Sequence, residues 1–277
     1  MRIPGHPCVV VLAFVISACG PAGRDPGGNG APDAGTDPDS GGGGGGDGSV
    51  GQTYVYAHTA STLYKVDPDT LAITRIADFV WSNGSDSMTD IAIDKTGDML
   101  GVSGNSVYRV DVTTAHATRL STGLTGQFNG LSFVPAAMLN QTGDDILVGT
   151  RSADGLVFKI NPMTGQTTQI GNMGGGLSSS GDLVAVTNFG TVQTANGTSN
   201  DRLVRLAPQT FTGSVVGTDI GYSNIFGIAF WKNKIFGFTS AGQFVTIDPN
   251  TGVGTLIQSN GPAWWGAAVT TSAPVIF

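Results

Sequence analysis

The stretch LYKVDPDTLAITRI, residues 63–76, occurs five times in related form along this chain of 277 residues. The other copies are VYRVDVTTAHATRL (107–120), VFKINPMTGQTTQI (157–170), LVRLAPQTFTGSVV (203–216) and FVTIDPNTGVGTLI (244–257). The copies align without gaps, and a threonine stands at the eighth position of each one. Self-similarity at a period of roughly 20–50 residues is typical of repeat folds. Each copy therefore belongs to one repeated structural unit.

Each copy has the pattern of a β-hairpin. Residues two apart in a strand share a face, so Tyr64 and Val66 lie on the same side of the first predicted strand. The turn that follows is Asp-Pro-X-Thr, in which Asp67 can accept hydrogen bonds from the amides ahead of it. Gly165 and Gly252 follow the threonine in two copies, where a left-handed backbone is expected.

The spacing of the copies predicts the size of the unit. The fifth positions lie 44, 50, 46 and 41 residues apart and are Asp67, Asp111, Asn161, Ala207 and Asp248. Two more strand-like stretches precede the second, third and fifth hairpins, such as FNGLSFV (128–134) and DILVGTR (145–151). Four strands in about 45 residues is the size of one β-propeller blade. The sequence therefore predicts an all-β fold, a β-propeller of five four-stranded blades.

The two ends of the repeated region predict how the ring closes. The first unit begins with TYVYAHT (53–59) and lacks a first strand, whereas PAWWGAAVTTS (262–272) resembles the missing one. A C-terminal strand that completes the first blade would remove two sheet edges. An open β-solenoid, or a six-bladed ring with one degenerate unit, is also compatible with the repeat pattern.

The composition narrows the function classes. The chain contains no glutamate, is rich in glycine, and has a net charge of −7. An acidic chain lacks the basic surface that grips phosphates, so nucleic acid is not expected as a partner. The two cysteines, Cys8 and Cys19, both lie near the N-terminus, which leaves the repeated region without a thiol.

The N-terminus indicates export and anchoring. Arg2 precedes the apolar run CVVVLAFVI (8–16), which is too short to span a bilayer as a helix. The sequence Ile16-Ser17-Ala18-Cys19 resembles the lipobox of bacterial lipoproteins. The resemblance implies a signal peptide at 1–18, a diacylglycerol on Cys19 and attachment to the membrane. Gly20 after the cysteine resembles the pattern that is sorted to the outer membrane of the cell envelope.

Between the anchor and the repeats, residues 20–52 contain almost no apolar side chain. Such a segment cannot bury enough surface to offset its ordering entropy, and we expect a disordered tether. The domain prediction is therefore a signal peptide (1–18), lipidated Cys19 with its tether (19–52) and a β-propeller (53–277).

The repeats resemble those of propellers in secreted bacterial proteins. The shared pattern is a Gly-Ile-Ala-Phe strand, as at 227–230, and a Tyr-(Lys/Arg)-Ile-Asp-Pro-X-Thr-Gly hairpin, as approximated at 64–71. Propellers carry out binding, scaffolding and hydrolysis alike, so the resemblance implies a fold without naming an activity.

Three side chains at the predicted starts of the inner strands form a candidate site. Asp90, Asn129 and Asn224 offer oxygen atoms near the central axis, and Ca²⁺ prefers oxygen ligands. The arrangement resembles the metal site of gluconolactonase-like propellers, although the present set contains only one carboxylate. The alternative is that these side chains satisfy backbone amides. Apart from a possible Ca²⁺ ion, no cofactor is expected.

Other candidates for chemistry have structural interpretations as well. Trp264 and Trp265 in the closing strand could stack on a ligand such as a sugar ring, or pack at the ring closure. His58 and His116 lack a nucleophile motif. Two pairs of carboxylates have the spacing of hairpin turns, and they are Asp144 with Asp145 and Asp94 with Asp98.

Two function classes follow. The first is a non-catalytic lipoprotein that binds a protein or glycan ligand, or acts as a scaffold, through one face of the propeller. The second is a metal-dependent hydrolase or lyase, similar to a lactonase, with an axial site. Scarce catalytic residue types favour the first.

Overall fold

The computed structural model describes residues 54–276, which form a five-bladed β-propeller. The predicted signal peptide, Cys19 and the tether lie outside the described residues. In the described part, no helix has the length and apolar character needed to cross a membrane.

The strands follow the repeat order of the sequence. The first blade contains β1 (Val55–His58), β2 (Thr62–Val66) and β3 (Ile73–Asp78). After β4 (Val80–Trp81), the second blade contains β5 (Asp90–Ile93), β6 (Met99–Val102), β7 (Val107–Val110) and β8 (His116–Ser121). The third contains β9 (Phe128–Val134), β10 (Ile146–Arg151), β11 (Leu156–Ile160) and β12 (Thr167–Asn172). The fourth contains β13 (Ser179–Val186), β14 (Gly190–Ala195), β15 (Arg202–Leu206) and β16 (Gly213–Val216). The fifth contains β17 (Ile225–Trp231), β18 (Lys234–Thr239), β19 (Phe244–Ile247) and β20 (Gly254–Gln258).

The last strand, β21 (Gly266–Ala268), closes the ring as predicted. It pairs antiparallel with β1, with His58 opposite Gly266 and Tyr56 opposite Ala268. It also contacts both β5 and β17, so the inner strands β5, β9, β13, β17 and β21 form a complete circle. We call the side on which these strands begin the leading face and the side on which they end the trailing face.

The turns of the repeated hairpins have the chemistry that the sequence predicts. In the first turn, Asp67 Oδ1 accepts hydrogen bonds from the amides of Asp69 and Thr70, both at 3.0 Å. The residue after the threonine is left-handed in every copy, and these residues are Leu71, Ala115, Gly165, Phe211 and Gly252. Glycine occupies this position in two copies because it alone adopts such a backbone without steric cost.

One strand was not predicted. The short strand β4 pairs in parallel with β8, which gives the second blade a fifth strand. Phe79 is buried beside it, and Trp81 packs edge to face against Tyr108 with the ring centroids 4.8 Å apart. This aromatic packing holds the segment that connects the first and second blades against β8, the outer strand of the second blade. The segment forms backbone hydrogen bonds along the outer edge of β8.

The C-terminal segment after β21 crosses the trailing face. Its hydrogen bonds reach four blades, and they are Thr270 Oγ1 to Asp94 O (2.8 Å), Thr271 Oγ1 to Asp145 Oδ2 (2.5 Å), Thr187 N to Thr271 O (2.8 Å) and Lys232 N to Pro274 O (3.0 Å). The segment therefore ties the ends of the inner strands together on this side of the ring.

Candidate functional site

The inner strands contribute one equivalent position each to a layer near the central axis. The pairing of each inner strand with the second strand of its blade identifies the equivalent positions. Asp90 pairs with Val102, Gly130 with Thr150, Gly227 with Phe238 and Gly266 with His58. In the fourth blade a register irregularity precedes Leu183, and Asp182 takes the equivalent place. The layer thus consists of Asp90, Gly130, Asp182, Gly227 and Gly266.

The glycines of this layer leave room for the two aspartates. A Cβ atom added at Gly266 would overlap Asp90 Oδ1 and His58 Nε2. One added at Gly130 would lie 3.4 Å from the Cα atom of Asp182 and closer still to Gly181 O. Side chains at these positions would displace the carboxyl groups or the neighbouring strand.

Asp182 connects three blades through backbone amides. Its Oδ1 accepts from Leu183 N at 2.6 Å and from Leu131 N at 3.3 Å, and its Oδ2 accepts from Ile228 N at 3.1 Å. These donors lie in the fourth, third and fifth blades. Bonds of this kind stabilise the ionised form of a carboxyl group. Asp182 therefore acts as an acceptor for strands that share no backbone ladder.

The Asp90 and Asp182 carboxyl groups interact with each other within the axial layer, and both side chains are fully buried. Burial raises the pKa of Asp90 well above its ordinary value, and repulsion from the Asp182 carboxylate raises it further. Burial also raises the pKa of Asp182, against the backbone donors that lower it. Because Asp182 already accepts three N–H groups, Asp90 is the better holder of a shared proton. A protonated Asp90 also supplies a donor where its buried Oδ2 otherwise has no partner.

The third buried side chain of the cluster is His58, which lies beside Asp90. Its Nδ1 donates to Thr59 O at 2.8 Å, so in the neutral ring Nε2 is an acceptor. Nε2 lies 3.8 Å from Asp90 Oδ1, which is too long for a hydrogen bond. Burial lowers the pKa of His58 to about 4, and the ring is neutral at physiological pH.

We refer to His58, Asp90 and Asp182 as the axial cluster. All three side chains are fully buried, so a substrate in solvent has no contact with them. Within residues 54–276, no group of three histidine, cysteine or acidic side chains is arranged to hold a metal ion. The three side chains form a buried polar cluster at the centre of the ring.

Of the three predicted axial ligands, only Asp90 belongs to this cluster. Asn129 precedes the layer by one residue, and its Nδ2 donates to Ser179 O at 3.2 Å. Asn224 lies on the exposed surface before β17 with a left-handed φ of 53°. No hydrogen bond joins any two of Asp90, Asn129 and Asn224 in the described chain. Asp90 Oδ1 accepts a hydrogen bond from the amide of Ile91 at 2.8 Å, whereas Asn129 donates to a backbone carbonyl and accepts from no amide of the described residues.

Sequence reasoning missed Asp182 and assigned His58 no role in a site. The signal for Asp182 was an aspartate before an apolar run, as in Gly181-Asp182-Leu183-Val184, which matches the Thr89-Asp90-Ile91-Ala92 pattern. The two extra residues in β13 hid the match, because this strand does not align with the others without a gap.

The two adjacent tryptophans face different environments. Trp264 is fully buried, and its ring packs edge to face against Tyr64 and Phe238 at centroid distances of 5.1 and 5.4 Å. Trp265 is 41 % exposed on the leading face, while its backbone N donates to His58 O at 2.8 Å. Of these two rings, Trp265 is the one with a surface open to a ligand.

A cavity of about 270 Å³ opens on the leading face beside the axis, between the second and third blades. Its lining residues are Thr89, Ser103, Gly104, Gln127, Phe128, Asn129 and Ser152. None of these side chains is ionisable. The Asn129 Oδ1 atom is buried behind this wall and has no hydrogen-bond partner in the described chain.

The two pairs of carboxylates described in the sequence lie on the trailing face. Asp94 Oδ1 accepts hydrogen bonds from the amides of Thr96 and Asp98 within its own turn. Asp145 Oδ2 accepts from Lys95 N at 2.8 Å as well as from the C-terminal segment, while Asp144 lies 3.7 Å from the Lys95 ammonium. These carboxylates are engaged in turns and in contacts between blades.

A wider groove of about 780 Å³ follows the second blade on its trailing side and includes His116. The carboxylate of Asp111 in this groove accepts from the amides of Thr113 and Thr114, and Asp98 pairs with Arg109 at 3.4 Å. The charged groups of the groove are therefore occupied by local contacts.

Comparison with known proteins supports the fold. No protein-family model matches the sequence, and no curated protein is significantly similar to it. A structure from work on "The de novo evolutionary emergence of a symmetrical protein is shaped by folding constraints" is 17 % identical, with a TM-score of 0.53 over 80 % of this chain and 100 % of that one. A chain from the crystal structure of a nidogen/laminin complex is 10 % identical, with the same TM-score and coverage. At these identities the likeness concerns the fold alone.

Proposed function

We propose that the chain is a lipid-anchored binding module of the cell envelope that uses the leading face of its propeller and catalyses no reaction. The observation that carries the proposal is the contrast between two places near the axis. The ionisable axial cluster is enclosed, whereas the open cavity beside it has only amide, hydroxyl and apolar linings. Catalysis by general acids and bases needs ionisable groups within reach of a substrate.

The leading face is the better choice of binding surface. The trailing face is crossed by the C-terminal segment and by the contacts of Lys95 with Gly143 and Asp145. The leading face keeps an open cavity and the exposed ring of Trp265. Protein and glycan ligands are the partners that we consider, and nucleic acid is not proposed.

A binding experiment tests the function. The full chain, in a non-glycosidic detergent, is mixed with separated polysaccharide, protein and lipid fractions of the cell envelope, and its melting temperature is measured. A ligand of the folded state raises the melting temperature in a saturable way. We expect one fraction to do so without being converted to product. No shift with any fraction, or turnover of a lactone or ester that Asp90→Asn abolishes, would contradict the proposal.

The anchoring proposal rests on Ile16-Ser17-Ala18-Cys19. Acyl chains contribute roughly 0.8 kcal/mol per buried CH₂ group, so the lipid dominates membrane attachment. Intact-mass measurement of the mature chain should show a diacylglycerol on Cys19, and Cys19→Ala should remove this mass. An unmodified Cys19 in the native protein would refute the anchor, and outer-membrane fractionation tests its location.

A further inference from the structure

We infer that the leading-face cavity binds one ring of a neutral saccharide, with Trp265 available to a further ring of the same chain. This inference rests on the proposed binding function and names its ligand class. It comes from the chemistry of the cavity wall and the exposed tryptophan on the same face.

The wall of the cavity matches a neutral ligand rich in hydroxyl groups. Thr89, Gln127, Asn129 and Ser152 line it with hydroxyl and amide groups and no charge, whereas the hydroxyl oxygen of Ser103 is buried. A charged ligand would lose its hydration without gaining an opposite charge. Hydroxyl groups both donate and accept, and so they match a mixed wall of amides and hydroxyls.

Asn129 is a fixed part of the cavity wall. Its Nδ2 is committed to Ser179 O at 3.2 Å, which fixes the orientation of the amide group. The opposite atom, Oδ1, is buried and accepts from no group of the protein.

Phe128 adds an apolar surface to the same wall. Its ring is almost fully buried and packs edge to face on Phe158, with the centroids 5.7 Å apart. Sugar rings present C–H groups on one side and hydroxyl groups at the rim, so they fit a wall that is apolar in one part and polar in another. The volume of about 270 Å³ is below the roughly 300–1,000 Å³ of sites for drug-sized ligands, which suits a single ring.

Trp265 provides the second contact. Its backbone is held by the bond to His58 O, and 41 % of the residue is exposed on the leading face. An exposed indole is a large rigid surface with little conformational entropy to lose on binding. The proposed saccharide of several units fills the cavity with one ring and places another on the indole.

Isothermal titration calorimetry tests the inference with neutral hexasaccharides of glucose, galactose, mannose and N-acetylglucosamine. A hexamer of galacturonic acid is the charged comparison. We expect saturable binding of at least one neutral hexamer and none of the charged one. Trp265→Ala should weaken that binding and abolish the accompanying change in tryptophan fluorescence.

The matched variants are Gln127→Ala and Gln141→Ala. Both glutamines are exposed, but Gln127 lines the leading-face cavity and Gln141 lies on the trailing face. Loss of one hydrogen bond should weaken binding about fivefold in Gln127→Ala and leave Gln141→Ala unchanged. Equal binding by both variants would refute the site.

The outcomes separate this inference from the proposed function. If no neutral hexamer binds while Gln127→Ala abolishes the melting-temperature shift caused by an envelope protein fraction, the saccharide inference is wrong and the binding face stands. If Gln127→Ala changes neither the affinity for the hexamer nor that shift, the cavity is not the binding site and this inference fails, while the shift itself still supports a binding function.

Discussion

At position 266 the central layer of the ring has no space for a side chain. An added Cβ would overlap Asp90 Oδ1 and His58 Nε2, and both of these side chains are fully buried. We expect Gly266→Ala to lower the free energy of unfolding by about 1–3 kcal/mol, as overpacking of a core does. Urea denaturation measures the loss.

Gly104→Ala is the matched control, because nothing lies within 4 Å of a Cβ added there. Its stability should stay within about 0.5 kcal/mol of the parent, as for most surface substitutions. Equal effects of the two substitutions would contradict the crowded layer.

The axial carboxyl pair makes folding depend on pH. Asp90 and Asp182 have pKa values raised by burial in the folded state, so the pair favours folding most below the ordinary carboxyl pKa. As the pH rises from about 4 toward the raised pKa, the folded state holds protons that the unfolded state releases, and stability falls. His58 acts in the opposite direction, because its pKa is lowered to about 4 and its contribution grows as the pH rises to about 6.5.

Asp90→Asn tests this linkage. The amide keeps a donor toward Asp182 and removes one titrating group, so the variant should gain stability relative to the parent as the pH rises from 5 to 9. The gain should be up to about 1.4 kcal/mol per pH unit in the range where one proton is at stake. Urea titrations across this range measure it, with the exposed Asp144→Asn as the control. A constant difference at all pH values would show that Asp90 does not titrate.

At the scale of the element, the hairpin turn shows what one side chain does to a local backbone. The first turn residue is Asp or Asn in the first, second, third and fifth copies, and it is Ala207 in the fourth copy. In that turn Gln209 takes a left-handed φ of 67°, and Thr210 N bonds to Pro208 O. The turn that lacks a side-chain acceptor at its first position thus follows a different path from the others.

Ala207→Asp should restore the common turn. The new carboxylate can accept the amides of residues 209 and 210, as Asp67 does for Asp69 and Thr70. We expect a gain of about 0.5–1.5 kcal/mol in the free energy of unfolding and a loss of similar size in Asp67→Ala. Thermal and urea denaturation of the two variants measure both changes. A destabilising Ala207→Asp would mean that the turn is fixed by its surroundings.

Features of the fold could be predicted from the sequence where they depend on residues close together in the chain. The hairpins, their turns and the closing strand depend on residues near one another in sequence, and the repeat displays each of them several times. The strand β4 depends on Phe79 and Trp81 packing against another blade, which no local pattern shows. The axial cluster joins Asp90, Asp182 and His58 from three blades, and the irregularity in β13 concealed the equivalence of the two aspartates.

At the scale of the whole molecule, the C-terminus has two separable roles. Residues up to Ala268 complete the first blade and bring the buried ring of Trp264 into the core. Residues from Thr270 onward cross the trailing face and bond to the other blades. Without β21, one edge of β1 would have unpaired backbone groups and the axial layer would lose Gly266.

Two truncations distinguish these roles. Deletion of residues 262–277 should abolish the cooperative unfolding transition, because the ring opens and the neighbouring inner strands β5 and β17 lose the strand between them. Deletion of residues 271–277 leaves the closing strand intact and should cost only about 2–4 kcal/mol, since it removes a few hydrogen bonds of roughly 0.5–1.5 kcal/mol each. Denaturation followed by both circular dichroism and fluorescence tests cooperativity through the coincidence of the two transitions. If the longer deletion unfolds with the same midpoint and slope as the shorter one, the ring is held by the crossing segment rather than by its closing strand.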